Sequence, residues 1–281
     1  MPFFRQFPKT TYDFLNSGID TQITDIFRFV QADIQLTDDT STYQYYQIRD
    51  GDRPDVVSTL LYGTPEYYWT FFLCNDTLKT GLTSWPMSQL QFDEYIATEY
   101  DGTAIITRPT LVWDAHHTQV TEYRDSLAGR FLIGETITGG TSGATGTLFS
   151  KDAQLSQMIL RQVNGNFLAP EQLYGFQSED IVSTFENVTG QTPSVLLWRD
   201  APHHYVKADG TISYDALYID EQNTFLGLDN PPDVVNNNLT AVSNYDYELT
   251  LNEQRSSIRV IRPDLIYTWA QTFKDLVNNG Q

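Results

Sequence analysis

Cysteine is almost missing from this chain: Cys74 is the one cysteine among 281 residues. A disulfide framework within the chain and a cysteine-based metal site are both excluded. Cys74 lies in an apolar helical run and reads as a small buried hydrophobe. Basic residues are scarce as well, with 17 Lys and Arg against 36 Asp and Glu and a formal charge of −19. Such a surface repels phosphate backbones and anionic lipid, so neither nucleic acid nor membrane is expected as a partner. No apolar run reaches the roughly 20 residues of a transmembrane helix. The opening "MPFFRQFPKTTYDF" lacks the basic-then-apolar order of a signal peptide, and the expected setting is a reducing cytoplasm, at least at first.

Aromatic residues are plentiful: 17 Tyr, 16 Phe and 5 Trp, in a chain that is 40% hydrophobic. They are densest in "RPDVVSTLLYGTPEYYWTFFLCND", residues 53–76. Asp52 can cap a helix there, and Pro54 suits a first turn. Val56, Val57, Leu60 and Leu61 make one apolar stripe, and Gly63 offers a left-handed stop. Thr64 and Pro65 restart the chain, Tyr68, Trp69, Phe72 and Leu73 make a second stripe, and Asn75 and Asp76 end it. The pattern predicts a helical hairpin preceded by a short strand in "YYQIRDGD". Tyr67 and Phe71 fall off the second stripe and are expected to face a neighbouring subunit.

The rest of the chain divides by character. Residues 1–44 read as an extended arm with a short helix, carrying Phe3, Phe4 and Phe7 for contact with something else. Residues 45–107 hold the hairpin and a further helix capped by Ser88. Residues 108–202 read as an inserted β-module, built on the echo of "GRFLIGETITG" (129–139) in "GNFLAPEQLYG" (165–175). Its core is expected from Phe131, Ile133, Leu148, Ile159, Phe167 and Leu173. The related joints "LVWDAHH" and "LLWRDAPHH" predict that the Trp113 and Trp198 segments pair as neighbouring strands. Residues 203–281 hold a hairpin at Asp209-Gly210 and a last helix opened by Pro263, whose stripe includes Trp269 and Phe273. The fold class expected is α+β.

Chemistry finds little support. Adjacent histidines on a strand point to opposite faces, so neither His116-His117 nor His203-His204 chelates well alone. "GGTSGATG" lacks the Gly-Lys-Ser/Thr ending of a phosphate loop, and Ser142 is not in a nucleophile elbow. No catalytic residue, cofactor or metal site is expected. The candidate site is a protein interface of Phe3, Phe4, Phe7, Tyr67, Phe71, Trp269 and Phe273.

The stretch "YQIRDGDRPDVVSTLLYG…YYWTFFLCND" resembles a LysM module, at Tyr46, Ile48, Gly51, Asp52, Val57, Tyr62, Gly63, Leu73 and Asn75. With "TDIFRF", "HYVKADGTISYD" and "LNEQRSSIRVIRPDLIYTWAQTFKDLV" it looks like the LysM-containing baseplate wedge subunit of T-even-like contractile-tailed bacteriophages. The resemblance implies a βααβ unit and a structural role in the virion tail baseplate. It implies contacts with core wedge proteins, a sheath-initiator-like wedge protein and neighbouring wedges around the tube. Residues 108–202 depart from that pattern, and no wedge role carries over to them. The alternative is a tail protein that binds or degrades peptidoglycan or chitin-type glycan through the LysM-like unit.

Overall fold

The computed structural model describes residues 7–14, 16, 18–25, 41–106, 110–113, 120–124, 131–152, 155, 157–178, 181–183, 195–214 and 240–279, with 110–113, 120–124 and 181–183 as backbone alone. Phe3, Phe4, His116 and His117, together with the short helix expected before residue 44, lie outside the described residues. The first strands are β1 (Lys9–Tyr12), β2 (Thr21–Thr24) and β3 (Tyr43–Gln47), followed by helices α1 (Pro54–Tyr62), α2 (Trp69–Cys74) and α3 (Gln89–Glu99). Next come β4 (Thr103–Ile106), β5 (Thr110–Trp113), β6 (Val120–Arg124), β7 (Thr136–Gly139), β8 (Thr145–Asp152) and β9 (Gln157–Asn164). β10 (Gln172–Gly175), β11 (Ile181–Ser183), β12 (Val195–Leu197), β13 (Pro202–Val206), β14 (Ile212–Ser213) and β15 (Thr240–Ser243) follow. Helix α4 (Asn244–Ser256), strand β16 (Ser257–Ile261) and helix α5 (Ile266–Asn279) complete the described order, an α+β mixture. No helix among the described residues is long and apolar enough to cross a membrane.

The chain separates into two units, one of residues 1–92 with 250–281 and one of residues 93–249. In the first, the helical hairpin forms as its punctuation dictates. Pro54 takes the first turn of α1, while Arg53, and not Asp52, occupies the cap position. Gly63 ends α1 at φ 73°, its N–H donating to the Thr59 carbonyl. Thr64 caps the single turn Pro65–Tyr67 that leads into α2. Ser88 and Gln91 then form a reciprocal capping box before α3.

The strand that completes this unit comes from far down the chain. β3 pairs antiparallel with β16, Tyr46 opposite Ile258 and Gln44 opposite Val260. The element order around the hairpin is thus β3–α1–α2–β16. Helix α2 lies between two apolar clusters. Phe71 meets Ile48, Val57, Leu78, Ile258 and Val260 on one side. Trp69 meets Phe7, Ile261, Trp269, Phe273 and Val277 on the other.

In the second unit a seven-stranded sheet runs β11-β10-β7-β8-β9-β4-β12. The expected pairing of the Trp113 and Trp198 segments is not what occurs. β5, which ends at Trp113, pairs with β6, and β12, just before Trp198, pairs with β4. The strand of the Trp198 joint thus does pair with one from before the insert, but with β4, one strand upstream of the Trp113 segment. The core gathers Ile105, Phe131, Ile137, Leu148, Met158, Leu160, Phe167 and Leu173. Ile133, expected there, is 67% exposed, because it falls in the turn before β7 and not on the strand. Ile159 is buried on the opposite face of the sheet with Ala104 and Ala201.

The repeat seen in the sequence is a local two-fold in space. β7 and β10 lie side by side, with Gly139 opposite Leu173, Thr138 opposite Tyr174 and Ile137 opposite Gly175. Exchanging the two copies leaves this register unchanged. The next strand out also repeats: Thr136, Ile137 and Thr138 face Thr147, Gly146 and Thr145, and Gln172, Leu173 and Tyr174 face Ser183, Val182 and Ile181.

Candidate functional site

Of the seven residues expected to form an exposed interface, the five that are described pack within the first unit. Phe71 is fully buried, stacked 6.2 Å from Tyr62, and does not face outward. The reason is geometric: α2 has apolar material on both sides, so residues off one stripe are on the other. Trp269 and Phe273 are buried in α5, their rings 5.9 Å apart and nearly parallel, with Trp69 5.8 Å and 5.0 Å away. Phe7 joins the same cluster just before β1, so this part of the arm is anchored by an aromatic plug and continues into the β1–β2 hairpin. Tyr67 is half-buried; its N–H donates to Ser58 Oγ, and it lines a cleft of about 160 Å³ with Trp69, Tyr267, Ala270 and Lys274.

Asn75, read from the sequence as a helix end and as a position of the LysM resemblance, joins two elements. Its Nδ2 donates to the Phe71 and Arg259 carbonyls at 2.8 and 2.9 Å, and its Oδ1 accepts the Arg259 N–H at 2.8 Å. The side-chain amide thus pairs with β16 as a neighbouring strand would. Cys74 is half-buried, and burial pushes its thiol up to about 12, which keeps it protonated at neutral pH.

In the second unit the loop "GGTSG" holds an anion of the protein's own making. Glu171, 5% exposed, accepts N–H groups from Thr141, Ser142 and Leu168, and the Ser142 hydroxyl. Glu135, 1% exposed, does the same for Leu132, Gln177 and Ser178. Each glutamate clamps the turn of the other copy. Burial pushes both carboxyls up, but the surrounding donors outweigh it and hold them below their ordinary value. The spacing Glu-x-x-x-Gly-x-x-Ser, in residues 135–142 and 171–178, is the sequence mark of this clamp. Its serine was missed because the hydrophobic echo stops at the glycine.

His203 and His204 bring their Nδ1 atoms to 2.9 Å, so one ring donates to the other. His203 lies flat on Tyr247 at 3.7 Å. Burial lowers both imidazoles, with the His204 neighbour adding to the effect on His203. Nearby, Tyr95 and Tyr100 both donate to Glu248. Among the described residues no group of three or more His, Cys, Asp or Glu could hold a metal ion. The polar groups described in both units brace the fold, the Ser142 and Ser178 hydroxyls being spent on the buried glutamates.

Residues 3–101 match a protein-family model described as base plate wedge protein 53. The wedge-family match takes in the aromatic plug, β3, the helical hairpin and α3, and ends before β4. Strand β16 and helix α5, which complete the core around that hairpin, lie outside it, as does the seven-stranded sheet. No curated protein matches the chain.

Proposed function

We propose that this chain is a non-enzymatic structural component of a phage tail baseplate wedge, joining wedge subunits around the tail tube during assembly in the host cytoplasm. The observation that carries the proposal is the match of residues 3–101 to the base plate wedge family. The order β3–α1–α2–β16 supports a LysM-like βααβ unit put to structural use. Its partners would be core wedge proteins, a sheath-initiator-like wedge protein and neighbouring wedges. The sheet of the second unit would be a separate module carried by the wedge component.

Mass spectrometry of purified tails tests the proposal, with the chain expected in baseplate fractions at a fixed ratio to other wedge proteins. Phage lacking the gene should accumulate unassembled wedges. Tails that form normally without the chain, or a purified chain that binds or cleaves peptidoglycan, would favour the glycan-directed alternative.

A further inference from the structure

The two edges of the β3–β16 sheet are treated differently. The register alternates hydrogen-bonded and non-bonded pairs. The Ile48 N–H donates to the Ser256 carbonyl and the Arg262 N–H to the Thr42 carbonyl, so the even-numbered residues of β3 face β16. Arg259, opposite Tyr45, turns its N–H and carbonyl away from β3 and gives both to Asn75. That edge is closed. By the same alternation the backbone groups of Tyr45 and Gln47 point away from β16, and among the described residues no strand pairs with them.

Proteins usually protect such an edge with a charge, a proline, a bulge or a cover. The strand Tyr-Gln-Tyr-Tyr-Gln has no charge and no proline, and its five-residue register runs without a bulge. Tyr45 is 69% exposed, with its ring 5.7 Å from that of Tyr43 on the outer sheet face.

We propose that the β3 edge takes an extended segment of another protein as a third strand, bonded to the backbone of Tyr45 and Gln47 and packed beside the Tyr45 ring. The occupant is a strand of neutral or basic character. A second copy is disfavoured because two chains of formal charge −19 repel. Strand addition draws affinity from main-chain hydrogen bonds and specificity from alternate side chains. The inference rests on the wedge reading, since it names the surface through which a neighbouring wedge protein is held.

Two measurements test it. Hydrogen exchange on residues 43–47 is compared between the isolated chain and purified tails containing it; the Tyr45 and Gln47 amides should exchange freely alone and slowly in the particle. Phage carrying Tyr45→Pro, which removes the outward N–H, are compared with Tyr45→Thr, which removes only the ring. Proline is tolerated at an outward edge position, so both chains should melt alike. The Pro variant should enter tails about tenfold less than the Thr variant, the effect of roughly one backbone hydrogen bond. Equal exchange in both states, or equal entry of the two variants, overturns the inference while leaving the wedge reading intact. Absence of the chain from tails overturns both. A dimer of the isolated chain that protects the same amides also overturns it. If the Pro variant fails to fold, exchange on the native chain decides.

Discussion

Asn75 ends a helix and closes a strand with one amide. Two of its three bonds depend on Arg259, far along the chain, and for that reason the helix end was legible and the strand contact was not. Asn75→Ala leaves the Arg259 N–H and carbonyl without that partner and should destabilise the first unit by about 2–3 kcal/mol, read by urea unfolding. Phe71 teaches a related lesson. A helical wheel says which residues share a side but not how many sides are covered. Phe71→Ala should therefore cost about 3–5 kcal/mol, the range for emptying a buried aromatic position. A variant that folds normally and fails only in assembly would contradict this. Glu171→Gln sets an amide N–H₂ against a ring of N–H donors. It should cost about 2–4 kcal/mol in the second unit, because buried donors lose a charged acceptor. Of the seven residues expected as an interface, five are described, and all five pack in the first unit. Their packing partners on β16 and α5 were what the local pattern could not supply.

At the scale of elements, the α1–α2 hairpin and the duplicated strands were legible because each is written in local terms. Pro54, Gly63 and Thr64-Pro65 fix the hairpin boundaries, and the repeat fixes the two copies of the β-turn. Pairing was harder to read. The tryptophan joints suggested one neighbouring pair, whereas β4 and β12 form it, and nothing local distinguishes Thr103–Ile106 from Thr110–Trp113 as a partner. The local two-fold makes its own prediction. A Cβ at Gly139 would collide with Ser142 Oγ and stand 2.6 Å from a Glu171 oxygen, and one at Gly175 would collide with Ser178 Oγ. Gly139→Ala and Gly175→Ala should each lower stability by about 1–3 kcal/mol, as overpacking does. Because each glutamate ties the turn of one copy to the other, Gly139→Ala should also shift the Leu168 amide through Glu171, and Gly175→Ala the Leu132 amide through Glu135.

Across the whole molecule, two units with separate cores predict two calorimetric transitions. The second unit holds the buried His204, Glu135 and Glu171 and the half-buried His203. The histidines lie below their ordinary 6.5 in the fold, so the unfolded state takes up protons first and stability is lost as pH falls below that value. The glutamates lie below their ordinary 4.5, so their contribution is present above that pH and disappears as pH falls through their lowered values. The transition of the second unit should therefore move down in two steps on acidification, and Glu171→Gln should flatten the lower step. A single transition with one acid step would count against separate cores. The pairing of β3 with β16 has a further consequence, one of timing. Chains fold as they emerge, N-terminal parts first. Every described strand of the seven-stranded sheet has left the ribosome before Ser257 is made, so that sheet can form during synthesis. The first unit must wait for residues 257–261 to be translated. A chain broken off earlier lacks the strand that pairs with β3, so truncation before Ser257 should leave the first unit without a closed core, however complete its N-terminal residues are.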